Sequence, residues 1–219
     1  MSDPYAPLKE NAWREVQEVD ERLARGEIDE AQWHREMAML VVPAYLAAET
    51  PWQQSGKSGT ADDWEWSRSL IADAIDRDRT FLDVGCANGY LMECLPRWSR
   101  PAVEPYGLDI SAELVELARS RLPQWRDRFW HGNALAWSPP MRFTYVRTGL
   151  DYVPEHRRPE LVAHLLRFCE RLIIGVFNEH ESEDTTERFL REQGFEPSGI
   201  SERPNRKKPG MRYRVLWLG

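Results

Sequence analysis

The first sixty residues carry apolar side chains at helical spacing. One stripe consists of Trp13, Val16, Val19 and Leu23, and a second of Trp33, Met37 and Leu40. Intervals of three and four residues predict two amphipathic helices, the second capped by Asp29. Pro43 is expected to break or kink that second helix, because proline lacks a backbone donor and clashes with the preceding turn. The segment from Glu49 to Thr60 is rich in glycine, serine and proline, which predicts a loop.

From Asp62 onward, helical stripes alternate with short apolar runs. The runs predict seven strands, at Thr80–Val84, Pro105–Ile110, Arg128–His131, Phe143–Arg147, Leu172–Phe177, Pro197–Glu202 and Arg212–Leu218. The intervening helices are predicted at Asp62–Ile75, Leu91–Trp98, Ala112–Arg121, Pro159–Arg171 and Thr185–Gln193. This alternation predicts an α/β fold with a mostly parallel sheet covered on both faces. The link from Pro204 to Gly210 is too short for a crossover helix, so the last two strands are expected to form an antiparallel edge hairpin.

A glycine-bearing loop joins the first predicted strand to the helix that follows it. The segment Phe81–Tyr90 contains Gly85 and Gly89, which lack side chains where the backbone turns tightly and a ligand comes close. The N–H groups at the start of the next helix favour an anionic group. Twenty residues after Gly89, Asp109 ends the second predicted strand, a position that places a carboxylate on the ribose hydroxyls of a bound nucleoside.

The acidic residue before the first glycine separates this loop from a dinucleotide-binding loop. A dinucleotide loop has the pattern Gly-x-Gly-x-x-Gly, whereas the chain has Asp-x-Gly-x-Ala-x-Gly starting at Asp83. A carboxylate at that position would repel a pyrophosphate and stabilise a cationic ammonium. The loop therefore favours a nucleoside ligand that carries an amino acid moiety and opposes a nicotinamide-dependent oxidoreductase.

Four motifs together resemble those of class I S-adenosylmethionine-dependent methyltransferases of the small-molecule type. They are Phe81–Gly89, Tyr106–Ser111, Gly132–Ala134 and Phe143–Pro154. The resemblance implies a Rossmann-like, seven-stranded domain over residues 61–219, preceded by an N-terminal helical arm and linker over residues 1–60. The stretch Ala47–Gly56 is similar to actinobacterial relatives of uncertain substrate. S-adenosylmethionine is the cofactor that the resemblance implies.

The resemblance also implies which residues hold the cofactor. Those expected at its methionine part are Asp83, Gly85, Cys86, Ala87 and Gly89. Those expected around its ribose and adenine are Asp109, Ile110, Asn133 and Ala134. Those expected beneath the sulfonium, on the acceptor side, are Arg147 and Thr148. For Ile110 and Ala134, plain packing in the core is the alternative interpretation.

Two residues depart from the family pattern. Ala87 replaces the usual middle glycine and is expected to need a less extreme backbone angle. Asn133 replaces a common acid, although its amide oxygen can still accept a hydrogen bond from an adenine amino group. The cofactor contacts are expected to survive both changes.

The reaction needs a base only if the acceptor must lose a proton. His180 follows the fifth predicted strand, at the edge where ligands bind in open sheets, and is the candidate base. The N-terminal arm is expected to fold over the cofactor, with Trp52, Gln54 and Ser55 in contact with it. The alternative is an arm that packs on the far side of the sheet or forms a dimer interface.

Composition narrows the classes of partner. The 219 residues carry a formal net charge of −7, which disfavours extended non-specific binding to phosphate backbones. The three cysteines have no zinc spacing and no disulfide framework, and no apolar run is long enough to cross a membrane. These features predict a cytoplasmic protein that acts on a small-molecule acceptor without a metal. A nucleic-acid methyltransferase and a non-catalytic cofactor-binding module stay alternatives, and the oligomeric state is left open.

Overall fold

The computed structural model describes residues 6–56 and 59–219 of the chain, and of residues 6–13, 176 and 177 the backbone alone. Residues 1–5 and 57–58 of the predicted arm and linker, and the side chain of Trp13, lie outside this part. The α-helices of the described part are α1 (Ala6–Ala24), α2 (Glu30–Leu46), α3 (Ala61–Arg68), α4 (Tyr90–Trp98), α5 (Ala112–Arg121), α6 (Arg158–Leu166) and α7 (Thr185–Glu192). Its strands are β1 (Arg79–Val84), β2 (Val103–Asp109), β3 (Phe129–His131), β4 (Phe143–Thr148), β5 (Cys169–His180), β6 (Gly199–Pro204) and β7 (Met211–Leu218).

These strands form one seven-stranded sheet in the order β3-β2-β1-β4-β5-β7-β6. The pairs from β3 to β5 are all parallel, whereas β7 runs antiparallel to both β5 and β6. The predicted α/β class, with a mostly parallel sheet and an antiparallel edge hairpin, is therefore confirmed.

Buried side chains alternate between the two faces of the sheet, as the two-residue period of a strand requires. In β4, Tyr145 packs on one face with Trp64 of α3 and Leu95 of α4. The next residue, Val146, packs on the other face with Leu161 of α6. Because helices cover both faces, the central strands are buried along most of their length, which explains why their sequences are rich in consecutive hydrophobic residues.

The predicted helix Asp62–Ile75 is two elements in the structure. Helix α3 ends at Arg68, and a 3-10 helix continues over Ser69–Ala74. At this junction the side chain of Arg203 donates a hydrogen bond to the backbone oxygen of Trp66 at 3.0 Å. In a regular helix the backbone oxygen of Trp66 would accept a hydrogen bond from an N–H of the same helix. The donor that replaces this N–H comes from a strand 137 residues away. The local pattern of hydrophobic residues therefore contains no sign of the change.

Two further helix predictions are corrected. The predicted helix Pro159–Arg171 ends at Leu166, because Cys169 already pairs with Phe143 in the sheet. Helix α2 continues through Pro43 instead of breaking there, and the carbonyl of Pro43 still accepts a backbone hydrogen bond at 2.9 Å. Only the donor that proline lacks is lost, so the last turn of the helix persists.

The link between β6 and β7 is basic, and it packs against α3. The guanidinium carbon of Arg206 lies 3.7 Å from the ring centre of Trp66, and its Nη1 is 2.6 Å from Asp62. Lys207 pairs with Asp63 at 2.6 Å. Although burial opposes the shift, hydrogen bonds from Lys207 and from the start of α3 lower the pKa of Asp63 to about 2. Acidic residues of α3 thus neutralise the positive charge of this link.

Helices α1 and α2 form a hairpin with a small core of its own. Its buried residues are Val19, Ile28 and Trp33. Gly26 adopts a φ of +71° in the turn between the helices, where a residue with a Cβ would be strained. The indole of Trp33 donates to Asp20 at 2.8 Å. Asp29 accepts a backbone N–H at 2.7 Å, which confirms the predicted cap of α2.

The carboxyl ends of β1 to β4 meet along one side of the sheet, called the carboxyl edge below. Asp83 in β1 is in register with Arg147 in β4, and Asp109 at the end of β2 is in register with His131. The loops that leave this edge carry most of the residues singled out from the sequence. Among the helices in the described part, none has the length and apolar character needed to span a membrane.

Candidate functional site

The loop between β1 and α4 bends sharply at two glycines. Gly85 and Gly89 both have a φ of +75°, and Gly89 is the residue that precedes the first turn of α4. The backbone N–H groups of Gly85 and Cys86 donate to the carbonyl of Leu108 in β2, at 2.8 and 3.1 Å. The left-handed backbone favours glycine at position 85, and a Cβ there would lie 2.5 Å from a ring carbon of Tyr152. The loop is therefore held against β2 with Tyr152 lying over it.

Ala87 keeps a left-handed backbone although it is not glycine. Its φ is +46°, smaller than that of the two glycines but still in the left-handed region, so the expectation of a less extreme angle holds only in part. For a residue with a Cβ this conformation costs about 1–2 kcal/mol. The N–H of Ala87 donates to Oδ2 of Asp109 at 2.8 Å, and such a bond to a carboxylate offsets part of that cost.

The side chain of Cys86 lies on the core side of the loop, with its sulfur 3.8 Å from the backbone oxygen of Ala87. It is buried in a small cluster with Met92 and Val115, between the sheet and helices α4 and α5. Burial raises the pKa of its thiol well above the usual range. Cys86 therefore offers a ligand its backbone and not its sulfur.

Asp109 links the glycine loop to the start of α5. Its Oδ2 accepts the N–H of Ala87, and its Oδ1 accepts the N–H of Ser111 at 2.9 Å. The residue is only 7% exposed, and burial raises its pKa while these two backbone bonds oppose the rise. Each carboxylate oxygen retains a second lone pair. The adjacent Ile110 is 40% exposed, so a buried carboxylate and an open apolar surface lie side by side.

Asp83 and Arg147 form a buried ion pair across β1 and β4. Nη1 of Arg147 is 3.2 Å from Oδ1 of Asp83 and donates to the hydroxyl of Tyr152 at 2.9 Å. Charge-assisted bonds are usually about 2.7–2.9 Å long, so the pair is loose. Burial raises the pKa of Asp83 to about 6, although the charge of Arg147 opposes the rise. Thr148 lies in the opposite direction, because neighbouring strand residues alternate, and its hydroxyl donates to the backbone of Gly149 at 3.0 Å.

The loop after β3 brings Asn133 to the same edge. The N–H of Gly132 donates to the carbonyl of Asp109 at 2.9 Å, which ties this loop to the end of β2. The side-chain oxygen of Asn133 accepts the N–H of Leu135 at 2.9 Å, so it already stabilises a turn. Ala134 is half-buried and packs against the main core. The alternative interpretation, packing in the core, thus agrees with the position of Ala134. It does not describe Ile110, which is exposed.

The arm reaches the glycine loop through Asn88, a residue that the sequence analysis did not single out. Asn88 is fully buried, and its side-chain nitrogen donates to the backbone of Pro51 at 2.9 Å and to Gln54 at 3.2 Å. Trp52 packs beside the ring of Tyr90, with 6.5 Å between ring centres. Ser55 belongs to the same 3-10 turn, and its backbone donates to Trp52 at 3.3 Å. The three predicted arm residues therefore lie next to the glycine loop.

A second contact holds the other end of α2 to the carboxyl edge. Glu30, in the first turn of α2, pairs with Arg157 and lies 2.9 Å from Nε2 of His156. Both partners belong to a 3-10 turn that follows β4. Between the two contacts, the phenol of Tyr45 packs against Gly56. Burial raises the pKa of Tyr45 above its usual range, and the nearby Tyr152 acts in the same direction.

The structure does not bring His180 to the glycine loop. Ile173 is the β5 residue in register with Arg147, and His180 lies seven positions further along the strand. At about 3.3 Å per residue this separation exceeds 20 Å along β5. The ring of His180 is 2.7 Å from the hydroxyl of Ser182, at the end of the hairpin with β7. Strand β5 extends beyond the carboxyl edge because β7 continues to pair with it. The last residues of β5 therefore lie away from the glycine loop.

Comparisons with known proteins agree with this geometry. Residues 81–171 match the family described as a methyltransferase domain. A trans-aconitate 2-methyltransferase of Rhodopseudomonas palustris (strain BisB5) is 29% identical over 165 residues, covering 68% of this chain and 61% of the relative. The enzyme of the same name from Azoarcus sp. (strain BH72) is 32% identical over 105 residues, covering 45% and 40%. The chain thus spans about three fifths of the length of the first of these relatives.

Solved structures share the fold at low sequence identity. The 1,6-didemethyltoxoflavin-N1-methyltransferase of Burkholderia thailandensis has a TM-score of 0.67 at 15% identity, covering 87% of this chain and 90% of that one. The magnesium protoporphyrin IX methyltransferase of Synechocystis PCC 6803 has 0.53 at 19%, covering 76% and 88%. The [4+2]-cyclase SpnF has 0.56 at 16%, covering 74% and 82%. Taken together, residues 81–171 are similar to a methyltransferase domain, and most of the chain shares the fold of solved methyltransferases.

Proposed function

We propose that the protein transfers a methyl group from S-adenosylmethionine to a small-molecule acceptor. The observation that carries the proposal is Asp109, a buried carboxylate at the end of β2 that contacts the glycine loop and lies beside the exposed Ile110. The region that matches the methyltransferase domain contains both residues. The relatives named above are trans-aconitate 2-methyltransferases, and the toxoflavin and protoporphyrin enzymes also act on small molecules. A nucleic-acid acceptor stays an alternative, since a putative RNA methyltransferase from Pyrococcus horikoshii also shares the fold, and a cytoplasmic location stays a prediction.

Two groups of residues at the carboxyl edge fit two parts of the cofactor, the nucleoside and the methionine part. Asp109 has lone pairs left for ribose hydroxyls, and Ile110 offers an apolar surface to adenine. Asp83 provides a carboxylate for the ammonium group, since the bonds described for it occupy only Oδ1. The ring of Tyr152 lies over Gly85, so the methionine part would reach the loop only after that ring moves. We assign Asn133 a supporting role through its loop, because its side-chain oxygen already accepts a backbone bond.

When bound, S-adenosylmethionine supplies an electrophilic methyl group on a sulfonium sulfur. The chain's own residues then have to orient an acceptor nucleophile and exclude water. We assign water exclusion to the arm, because the start of α2 is held at the carboxyl edge by Arg157 and the segment that follows α2 is held there by Asn88. Deleting residues 1–61 tests this role. We expect the shortened chain to lose methyl transfer, and full turnover by a folded chain of this length would contradict the role as a lid.

Titration calorimetry tests the proposed function itself. We expect S-adenosylhomocysteine to bind in the micromolar range or tighter, and NAD not to bind, because Asp83 opposes a pyrophosphate. Transfer of a radiolabelled methyl group to a panel of small metabolites then separates an enzyme from a non-catalytic module. The fold alone does not decide this point, since the cyclase SpnF shares it. Failure of S-adenosylhomocysteine to bind would overturn the proposal.

A further inference from the structure

Two side-chain amides connect the glycine loop to the end of α2. The side-chain nitrogen of Asn88, a fully buried residue, donates to Oε1 of Gln54 at 3.2 Å and to the backbone oxygen of Pro51 at 2.9 Å. Gln54 in turn donates to the backbone oxygen of Ala48, two residues after the end of α2, at 2.9 Å. On its other side, Oδ1 of Asn88 accepts the N–H of Tyr90, the first residue of α4, at 3.1 Å. The bonds that lead from Tyr90 through both amides to Ala48 are called the amide relay below.

The hydrogen bonds of the amide relay permit one orientation of each amide. A flipped Asn88 would turn its own N–H bonds towards the N–H of Tyr90 and its oxygen towards the oxygen of Pro51. A flipped Gln54 would set its oxygen against that of Ala48. Each amide therefore accepts at one end and donates at the other, and hydrogen bonds in such a chain polarise and strengthen one another. Loss of the donor in either amide breaks the connection between α4 and α2.

The amide relay begins in the part of the loop that Asp109 holds. The N–H of Ala87, the residue before Asn88, donates to Asp109 at 2.8 Å, and Ala87 has a φ of +46°. Arg121 of α5 donates to the backbone oxygen of Asn88 at 2.7 Å. These bonds fix the backbone from which the side chain of Asn88 projects. The proposed ribose contact and the attachment of the arm therefore depend on two successive residues of one loop.

We infer that Asn88 is a positioning residue, which couples binding of the cofactor to placement of the arm over the carboxyl edge. The inference rests on the proposed function. The amide relay holds the segment after α2 against the glycine loop, where Trp52 packs beside Tyr90, so a cofactor bound to that loop lies beside the attached arm. Coupling between two binding events is reciprocal. A cofactor that binds more tightly when the arm is attached therefore also holds the arm more firmly, and the arm is in place when water has to be excluded.

The substitution Asn88→Asp breaks the amide relay with little change in shape. A carboxylate at this position still accepts the N–H of Tyr90, at a helix start where negative charge is favoured. It has no proton to donate, and it faces the two oxygens of the arm that the amide had bound. Asn205→Asp is the matched control. Asn205 is also buried, accepts the backbone N–H of Lys207 and donates to Asn178, each at 2.9 Å, in the link between β6 and β7.

Calorimetry and hydrogen exchange on the full chain test the coupling, with S-adenosylhomocysteine as the probe. In the unaltered chain, saturation with this ligand should slow amide exchange in residues 44–56 about tenfold. Asn88→Asp should weaken the affinity for S-adenosylhomocysteine about tenfold, because two hydrogen bonds to the arm are lost. The ligand should no longer slow exchange of the arm in this variant. Asn205→Asp should leave the affinity and the ligand-dependent slowing of exchange unchanged.

The outcomes separate this inference from the function on which it rests. If S-adenosylhomocysteine binds the unaltered chain without slowing exchange of the arm, the inference is overturned and the proposed function stands. Faster exchange of the arm in Asn88→Asp with unchanged affinity also overturns it, because Asn88 would then serve only to pack the arm. If Asn88→Asp does not fold, Gln54→Ala replaces it under the same criteria, since that change leaves the glycine loop unaltered. If S-adenosylhomocysteine does not bind the unaltered chain, the proposed function fails, and the inference fails with it.

Discussion

Two regions of this protein contain buried charges, and the charges are paired differently in each. Between β5, β7 and α7, Arg214 is 3% exposed and contacts Glu179 and Glu187, each at 2.7 Å. At the carboxyl edge, Asp109 is held by backbone N–H groups, and Asp83 has one loose contact with Arg147 at 3.2 Å. The first region neutralises its charges internally, whereas the second leaves bonding capacity for a ligand. A cluster of buried charges therefore indicates a binding site only when its own members do not satisfy it.

The arginine cluster extends this contrast. Arg212 pairs with Asp184 at 2.7 Å and with Glu202 at 3.2 Å, and Arg214 also lies 3.4 Å from Glu202. Arg212 and Arg214 thus each have several acidic partners, which lie in β5, in β6 and in the loop before α7. This arrangement of ion pairs links the edge hairpin to β5 and to the loop before α7. The region is a structural element of the fold.

Removing Arg214 should produce the largest effect on stability. Arg214→Met removes the 2.7 Å partner of Glu179 and of Glu187. It leaves them with Arg212 at 3.7 Å and Arg191 at 2.8 Å, so we expect a cost near the lower end of the about 3–5 kcal/mol for a broken buried pair. We expect urea unfolding to report this loss, while S-adenosylhomocysteine binds to the folded fraction with unchanged affinity. Arg188→Met is the exposed control. If the variant has normal stability, or a weakened affinity for S-adenosylhomocysteine, the proposed difference between the two regions is contradicted.

Removing Asp109 should produce the opposite pattern. Asp109→Ala deletes the proposed bonds to the ribose, which costs on the order of 2–4 kcal/mol, or roughly thirty- to a thousandfold in affinity for S-adenosylhomocysteine. The variant also leaves the N–H of Ala87 without its acceptor, so a smaller loss of stability accompanies it. Calorimetry and urea unfolding measure the two effects on one sample, with the exposed Asp127→Ala as control. Unchanged affinity for S-adenosylhomocysteine in a folded variant would contradict the proposed contact of Asp109 with the ribose.

Acidification should weaken binding through Asp83. Its raised pKa means that the ionised form is disfavoured in the folded chain, so this residue destabilises the protein above pH about 6 and ceases to do so as pH falls towards 4. Binding has the opposite dependence, because the cofactor's ammonium needs the ionised carboxylate. We expect the affinity for S-adenosylhomocysteine to fall about tenfold between pH 7 and pH 5. Asp83→Asn should flatten that profile, and an equally steep profile in the variant would assign the titration to another group.

The contact between the arm and the glycine loop should give the smallest effect. Gln54→Ala removes a hydrogen bond to Asn88 at 3.2 Å and another to the backbone of Ala48 at 2.9 Å. Only the bond to Asn88 joins the arm to the glycine loop, and its typical net value of about 0.5–1.5 kcal/mol predicts a two- to tenfold loss of methyl transfer, through a less firmly closed arm. Gln124→Ala, on an exposed turn, is the control. Identical initial rates for the two variants would show that the arm does not depend on this contact.

The sequence was most informative where the relevant interactions are local. The strand before Gly85, the helix after Gly89 and the position of Asp109 all follow from short-range spacing, and the structure has each of them where it was expected. The mostly parallel sheet follows as well, because strands that alternate with helices are joined by crossover connections. The predicted edge hairpin required only the length of the link from Pro204 to Gly210.

Residues that meet across long separations were missed for a physical reason. Asn88 contacts a segment 37 residues earlier, and Tyr152 lies over a glycine 67 positions before it. No local pattern encodes such contacts, since they depend on how α2 and the loop after β4 fold back over the edge. His180 illustrates the reverse error, in which a correctly predicted strand was assumed to end where its parallel neighbours end. Pairing with β7 extends β5 beyond that point.

The two attachments of α2 differ in their response to ionic strength. At one end Glu30 and Arg157 form an ion pair near the surface, and at the other Asn88 makes uncharged hydrogen bonds in a buried position. Added salt screens the first, since the Debye length falls from about 8 Å at 0.15 M to about 3 Å at 1 M, and leaves the second intact. Concentrated salt is therefore expected to weaken the attachment at the start of α2 and to leave the segment after α2 bound to Asn88. We expect the rate of small-molecule exchange at the carboxyl edge to rise with ionic strength for this reason.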